Sequence, residues 1–191
     1  MLNKKYKFAV LFIAMLLVLG LTLPACTCQK PTETEKLPAP PGEPAALSFE
    51  AAEYVNADPG FSVKYPKEWV EQPATGVTVF YAAAPAQVPN IFISVVEGAA
   101  FADALNAAIS GAGGAEVKIK TESETKLADG TKAYQAVYKF KHPAAPMALD
   151  AFSLGAVKAD KWVVVTVATV GLLAKYDEAK FSEIAHTLKF K

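Results

Sequence analysis

The sequence predicts an α+β fold, an antiparallel β-sheet of about six to seven strands flanked by helices, preceded by a leader and a tether. Three observations predict it. From Ser48 onward, short apolar runs alternate with polar residues at period two and are broken by turn residues. Ala128-Asp129-Gly130 joins two such runs over so short a connection that the strands must pair antiparallel. Around 99–112 and 177–188 the apolar spacing changes from two to three and four, the period of a helix.

At the start of the chain, Lys4, Lys5 and Lys7 precede an apolar run from Phe8 to Leu23, interrupted only by Gly20 and Thr22. Its sixteen residues fall below the ~20 needed for a helix to cross a bilayer, so an export leader is the reading. Leu23-Pro24-Ala25-Cys26 resembles the lipobox of bacterial lipoproteins: Leu23, Ala25 and Cys26 match, and Pro24 is an unusual occupant. The resemblance implies a signal peptide over 1–25, cleavage before Cys26 and acylation of its thiol. Two or three acyl chains make such anchoring stable, at ~0.8 kcal/mol per buried CH₂. Cleaved secretion without lipid and an uncleaved anchor are the other two readings. Cys28, the second of two cysteines, is then a lone thiol beside the bilayer.

Residues 26–47 contain Pro31, Pro38, Pro40, Pro41 and Pro44 and few large apolar groups. Such a segment cannot bury enough surface to offset its ordering entropy, which predicts a Pro-rich flexible tether spanning ~25 Å as a coil or ~65 Å as stiff polyproline, able to hold the domain clear of the headgroups. The remaining stretch, 48–191, has the length of one domain with one core.

Within that domain, Phe61, Val63 and Tyr65 form a strand that Pro66 ends, since proline cannot donate to a ladder. Strands follow over 77–83 and 91–96, separated by a Pro- and Asn-containing loop. Phe101, Leu105, Ala108 and Ile109 share one face of a helix over 99–112, which Gly111, Gly113 and Gly114 stop. The glycines follow a helix and lack the Lys-Ser or Lys-Thr end of a phosphate loop. Strands over 117–127 and 131–141 flank the hairpin turn, and further strands span 149–157 and 162–170. In the last, both alternating sets are apolar, which predicts a central strand covered on both faces. A final helix runs from Asp177, its N-cap, to Leu188, with Tyr176 and Phe181 as a hydrophobic staple.

Charge excludes some partners. All nineteen basic residues are lysine, and residues 48–191 carry a net −2. Without arginine's planar fork or a basic footprint, a nucleic-acid or phosphoprotein partner is not expected. No cofactor, metal or catalytic constellation emerges. His186 sits near a helix C-terminus, where the dipole favours it, and His142 lies in the loop His142-Pro143-Ala144-Ala145-Pro146-Met147. Neither stands beside a nucleophile, and no histidine or cysteine pair has zinc-ligand spacing. Glu122, Glu124 and Asp129 lie close in sequence but form no calcium loop. The aromatics carry the binding expectation. Most fill the core, but Tyr81, Tyr134 and Tyr138, with His142, are candidates to meet a partner in a groove between the loops 84–90 and 143–147.

Gly60-Phe61-Ser62-Val63-Lys64-Tyr65-Pro66-Lys67-Glu68-Trp69, Leu127-Ala128-Asp129-Gly130-Thr131-Lys132-Ala133-Tyr134, and Tyr176-Asp177-Glu178-Ala179 leading to Thr187-Leu188-Lys189-Phe190 resemble the PsbP-like superfamily. The resemblance covers 48–191. It implies an antiparallel sheet sandwiched by helices. The superfamily holds extrinsic subunits of photosystem II, a nuclear-import factor that binds the Ran GTPase, and envelope lipoproteins of the DcrB type. The matching motifs are structural, so no functional residue is carried over. The expectation is an extracytoplasmic, lipid-anchored, non-enzymatic accessory factor for an envelope protein complex. A small-molecule or cell-wall ligand carrier is the alternative.

Overall fold

The computed structural model describes residues 46–191. The expected signal peptide, the expected acylation site Cys26, Cys28 and the expected tether up to residue 45 lie outside the described residues.

The first strands are β1 (Ala51–Asn56), β2 (Phe61–Pro66), β3 (Val70–Gln72), β4 (Thr78–Ala83) and β5 (Asn90–Val96). After helix α1 (Phe101–Gly111) come β6 (Ala115–Lys126), β7 (Lys132–Lys141), β8 (Leu149–Lys158) and β9 (Lys161–Thr169), then α2 (Glu178–Ala185) and β10 (Lys189–Phe190). Seven strands form one antiparallel sheet in the order β3-β4-β5-β9-β8-β7-β6, and β1-β2-β10 form a second.

β9 occupies the centre of the large sheet, and its two apolar sets face different cores. Val163, Val165 and Val167 pack with Phe61 and Val63 of β2 and with Phe181 and Ile184 of α2. Trp162, Val164 and Ala168 pack with Phe101, Leu105 and Ile109 of α1. The layers are therefore α1, the seven-stranded sheet, and the small sheet together with α2. Each fully buried valine contributes ~1.5–3 kcal/mol of hydrophobic stabilisation, which is why this mainly apolar strand, buried from Trp162 to Thr169, settles in the middle.

The helices begin and end for identifiable reasons. At α2, the Asp177 carboxylate accepts the Lys180 N–H at 3.1 Å, and the Tyr176 and Phe181 rings meet edge to face at 5.2 Å. The helix stops at Ala185 and not at Leu188 because Thr187 is claimed by β2: its hydroxyl accepts the Lys64 N–H at 2.8 Å and donates to the Ile184 carbonyl at 2.7 Å. α1 closes with Gly113 at φ +83° and the Gly114 N–H donating to the Ile109 carbonyl at 2.8 Å.

Three short strands depart from the sequence reading. β1, β3 and β10 lack a fully buried alternate set, so periodicity carries no signal for them. Phe61–Pro66, expected in the single sheet, pairs instead with β1 and β10, and Pro66 is the last residue of β2.

Register defines two ends of the molecule. Val70, Ala83, Asn90 and Ala168 align across β3, β4, β5 and β9. Ala51 pairs with Pro66, whose carbonyl accepts the Trp69 N–H at 3.0 Å, so β1 starts at this same end. Ser48 is fastened just before it, donating from its N–H to Glu183 at 2.6 Å. At the opposite end, the Lys191 N–H donates to the Gly60 carbonyl and Lys158 Nζ to the Lys191 carbonyl.

Candidate functional site

α1 ends before the sheet does. Beyond its last turn the sheet face remains open, leaving a cleft of about 160 Å³ walled by Pro73, Ala74 and Thr75. Phe92 and Phe140, edge to face at 6.5 Å, and Leu149 give it an apolar floor; Thr78, Tyr81, Asn90 and His142 give it a polar rim. Its lining contains no carboxylate or ammonium group.

The glycines after α1 shape this space. A Cβ at Gly113 would lie 3.2 Å from His142 Nε2, and one at Gly114 2.8 Å from Phe140 Cδ2. Small residues here let the helix end approach both side chains. His142 Nδ1 accepts the Ala144 N–H at 3.2 Å, so in the neutral ring the proton sits on Nε2, leaving a donor beside the cleft. The Asn90 amide and the Tyr81 hydroxyl line the same space and find no side-chain partner among the described residues. Burial pushes the Tyr81 pKa up, keeping its hydroxyl protonated and able both to donate and to accept. His142 also borders a shallow depression of about 330 Å³ over Pro143, Pro146 and Met147.

The four candidate residues separate. Tyr81 and His142 come together in the cleft. Tyr134 does not join them: it packs beside Phe101 at 6.0 Å and Trp162 at 5.8 Å, under Lys132 Nζ at 5.1 Å. Tyr138 is corrected to a core residue. It has no exposed surface, and its hydroxyl bonds to that of Ser153 at 2.8 Å, so it cannot touch a partner. Of the expected groove loops, 143–147 borders the depression, whereas the 84–90 loop contributes none of its residues before Asn90 to the cleft. Asn90 itself reads in the sequence only as a loop marker, although a polar amide at the head of the apolar run 91–96 is a usable signal. Thr78 and Leu149 carried no such mark.

The remaining titratable groups make local contacts, among them His186 Nδ1 3.2 Å from the Ser182 hydroxyl. His186 caps α2, with Nδ1 2.8 Å from the Ser182 carbonyl. Glu124 pairs with Lys132 at 2.8 Å, and the Thr131 N–H, donating to the Asp129 carboxylate at 2.8 Å, lowers the pKa of that acid. Among the described residues, no group of three His, Cys, Asp or Glu side chains is arranged to hold a metal ion. No helix of the described residues is long and apolar enough to cross a membrane.

No protein-family profile and no curated protein matches the chain in sequence. Solved structures do match it. The solution structure of cyanobacterial PsbP (CyanoP) from Synechocystis superposes with a TM-score of 0.55 at 12% identity, over 81% of this chain and 99% of that one. The fold is PsbP-like. Lower similarity extends to a Pseudomonas aeruginosa protein of unknown function, PA94 (TM-score 0.41, 15% identity, 74% of this chain and 97% of that one). A Bacteroides thetaiotaomicron structure gives a TM-score of 0.38 at 14% identity, over 73% of this chain and 48% of that one. α1, between β5 and β6, crosses one face of the sheet and leaves the cleft where it stops.

Proposed function

We propose that the protein is an extracytoplasmic lipoprotein, anchored through Cys26, whose PsbP-like domain acts by binding as an accessory factor of an envelope protein complex. The cleft beyond α1 receives an apolar side chain of the partner. The observation that carries this reading is the combination of an uncharged apolar floor with the Tyr81, Asn90 and His142 polar groups around it. A volume near 160 Å³ suits a group about the size of benzene, whereas pockets for whole drug-sized ligands run to ~300–1,000 Å³. The adjoining depression past His142 gives the rest of a partner segment a surface to follow. Asn90 and Tyr81 then hydrogen-bond its backbone.

A photo-crosslinking amino acid placed in the full chain at Tyr81, His142 or Tyr134, in intact cells, tests this. Crosslinks to one envelope protein from positions 81 and 142, absent from 134 and weakened by Asn90→Ala, are expected. Equal crosslinking from all three positions would remove the cleft from the reading. A small molecule retained in native mass spectra, with no protein crosslink, would assign the cleft to ligand carriage.

A further inference from the structure

The end of the domain at which the chain enters also presents its most exposed large apolar side chains. Leu172 is 77% exposed and Leu173 66%, ahead of every other large apolar residue among the described ones, and Val70 at the same end is 57% exposed. The leucines sit in the turn that follows β9 and precedes α2, and that turn is held. The Leu173 and Ala174 N–H groups donate to the Val170 carbonyl at 2.8 and 3.0 Å, and the Thr169 hydroxyl donates to the Ala174 carbonyl at 3.1 Å. Two adjacent leucines are thus fixed facing outward. Apolar side chains in such a position mark a surface that something covers.

We propose that the cover is a lipid bilayer: the Leu172-Leu173 turn rests among the headgroups of the membrane that holds the anchor, and the domain stands on its entry end. The inference rests on the acylation of Cys26 proposed above. Nineteen residues separate Cys26 from Ala46, and a coil of that length reaches ~25 Å. The ten-residue strand β8 runs ~33 Å from this end to the other. A tether of that reach lets the entry end meet the bilayer while the opposite end stays clear. Composition favours lipid over a protein partner, because hot spots at protein interfaces are rich in Trp, Tyr and Arg. The exposed large apolar residues here include no aromatic, and the chain has no arginine. Lys175, next to the turn and exposed, suits an anionic headgroup.

The test uses the full acylated chain in a Cys28→Ser background, reconstituted into vesicles of phosphatidylethanolamine and phosphatidylglycerol. An environment-sensitive fluorophore is attached at Leu173→Cys or, at the far end, Val157→Cys. We expect the probe at 173 to shift to the blue and to be quenched several-fold by spin-labelled lipid, while the probe at 157 is unchanged. Protein that floats with the vesicles but gives identical emission at both positions overturns the inference and leaves the anchor standing. Protein that does not float removes the anchor and the inference together, and flotation alone reports that outcome.

Discussion

Tyr138 carries a hydroxyl into the interior, and its neighbours show how the fold accommodates it. Ser153 and Thr166 lie beneath it, their own hydroxyls 2.6 Å apart, so three polar groups on three central strands satisfy one another. Tyr138→Phe leaves the Ser153–Thr166 bond in place and should lower stability by only about 1 kcal/mol in urea denaturation. Crosslinking from Tyr81 should not change. Tyr65 makes a different case. Burial, the hydrogen bond to Glu71 at 2.5 Å and the charge of that carboxylate push its pKa up to about 12. The unfolded phenol titrates near ~10, so the neutral form is favoured in the folded state. Its contribution is complete below pH ~10 and is lost as pH rises through about 12. Thermal melts from pH 9 to 12 should show the wild type losing more stability than Tyr65→Phe. Much less was legible at this scale than at the next. The sequence distinguishes an aromatic from its neighbours but does not reveal which face it takes, and Tyr134 and Tyr138, four apart in one strand, share a face while differing wholly in cover.

Elements with a strong period could be read directly. The central position of β9 followed from two apolar sets in one run, and the cap and staple of α2 from Asp177, Tyr176 and Phe181. Elements defined by pairing alone, such as β3, which lies at the sheet edge against β4, carry no periodic signature and went unseen. The extent of the cleft was also illegible, because it depends on where α1 stops over a sheet formed by distant segments. The contact between α1 and that sheet is close: a Cβ at Gly155 would stand 2.5 Å from Phe101 Cε2 and 2.8 Å from Cδ2. Gly155→Ala should therefore lose about 1–3 kcal/mol by overpacking, and adding Phe101→Leu should restore part of it. At the other helix, Asp177→Ala removes an N-cap and should cost about 1 kcal/mol, with hydrogen exchange accelerated first in α2. The edge strand β6 lacks any fully buried residue. Glu116, Lys118, Lys120, Glu122, Glu124 and Lys126 occupy every second position along it, a charge pattern that resists strand addition by another molecule.

For the molecule as a whole, the entry of the chain, the Leu172-Leu173 turn and the cleft all lie toward one end of the sheet. Shortening the tether by ten residues should leave fractionation with membranes unchanged. The same change should alter crosslinking from Tyr81 only if the partner stands farther from the bilayer than the remaining chain can reach. The position of β9 has a kinetic counterpart. Its partner β5 is completed at Val96, and β9 begins only at Lys161, so the two halves of the sheet, β3-β4-β5 and β6-β7-β8, have nothing to join them while the chain is still emerging. Each half must wait with an apolar edge exposed. Closure over so long a sequence separation is slow compared with local pairing, and chains truncated at Lys158 should collect as aggregates instead of partly folded monomers. Assembly of the domain is consequently an event of the finished chain.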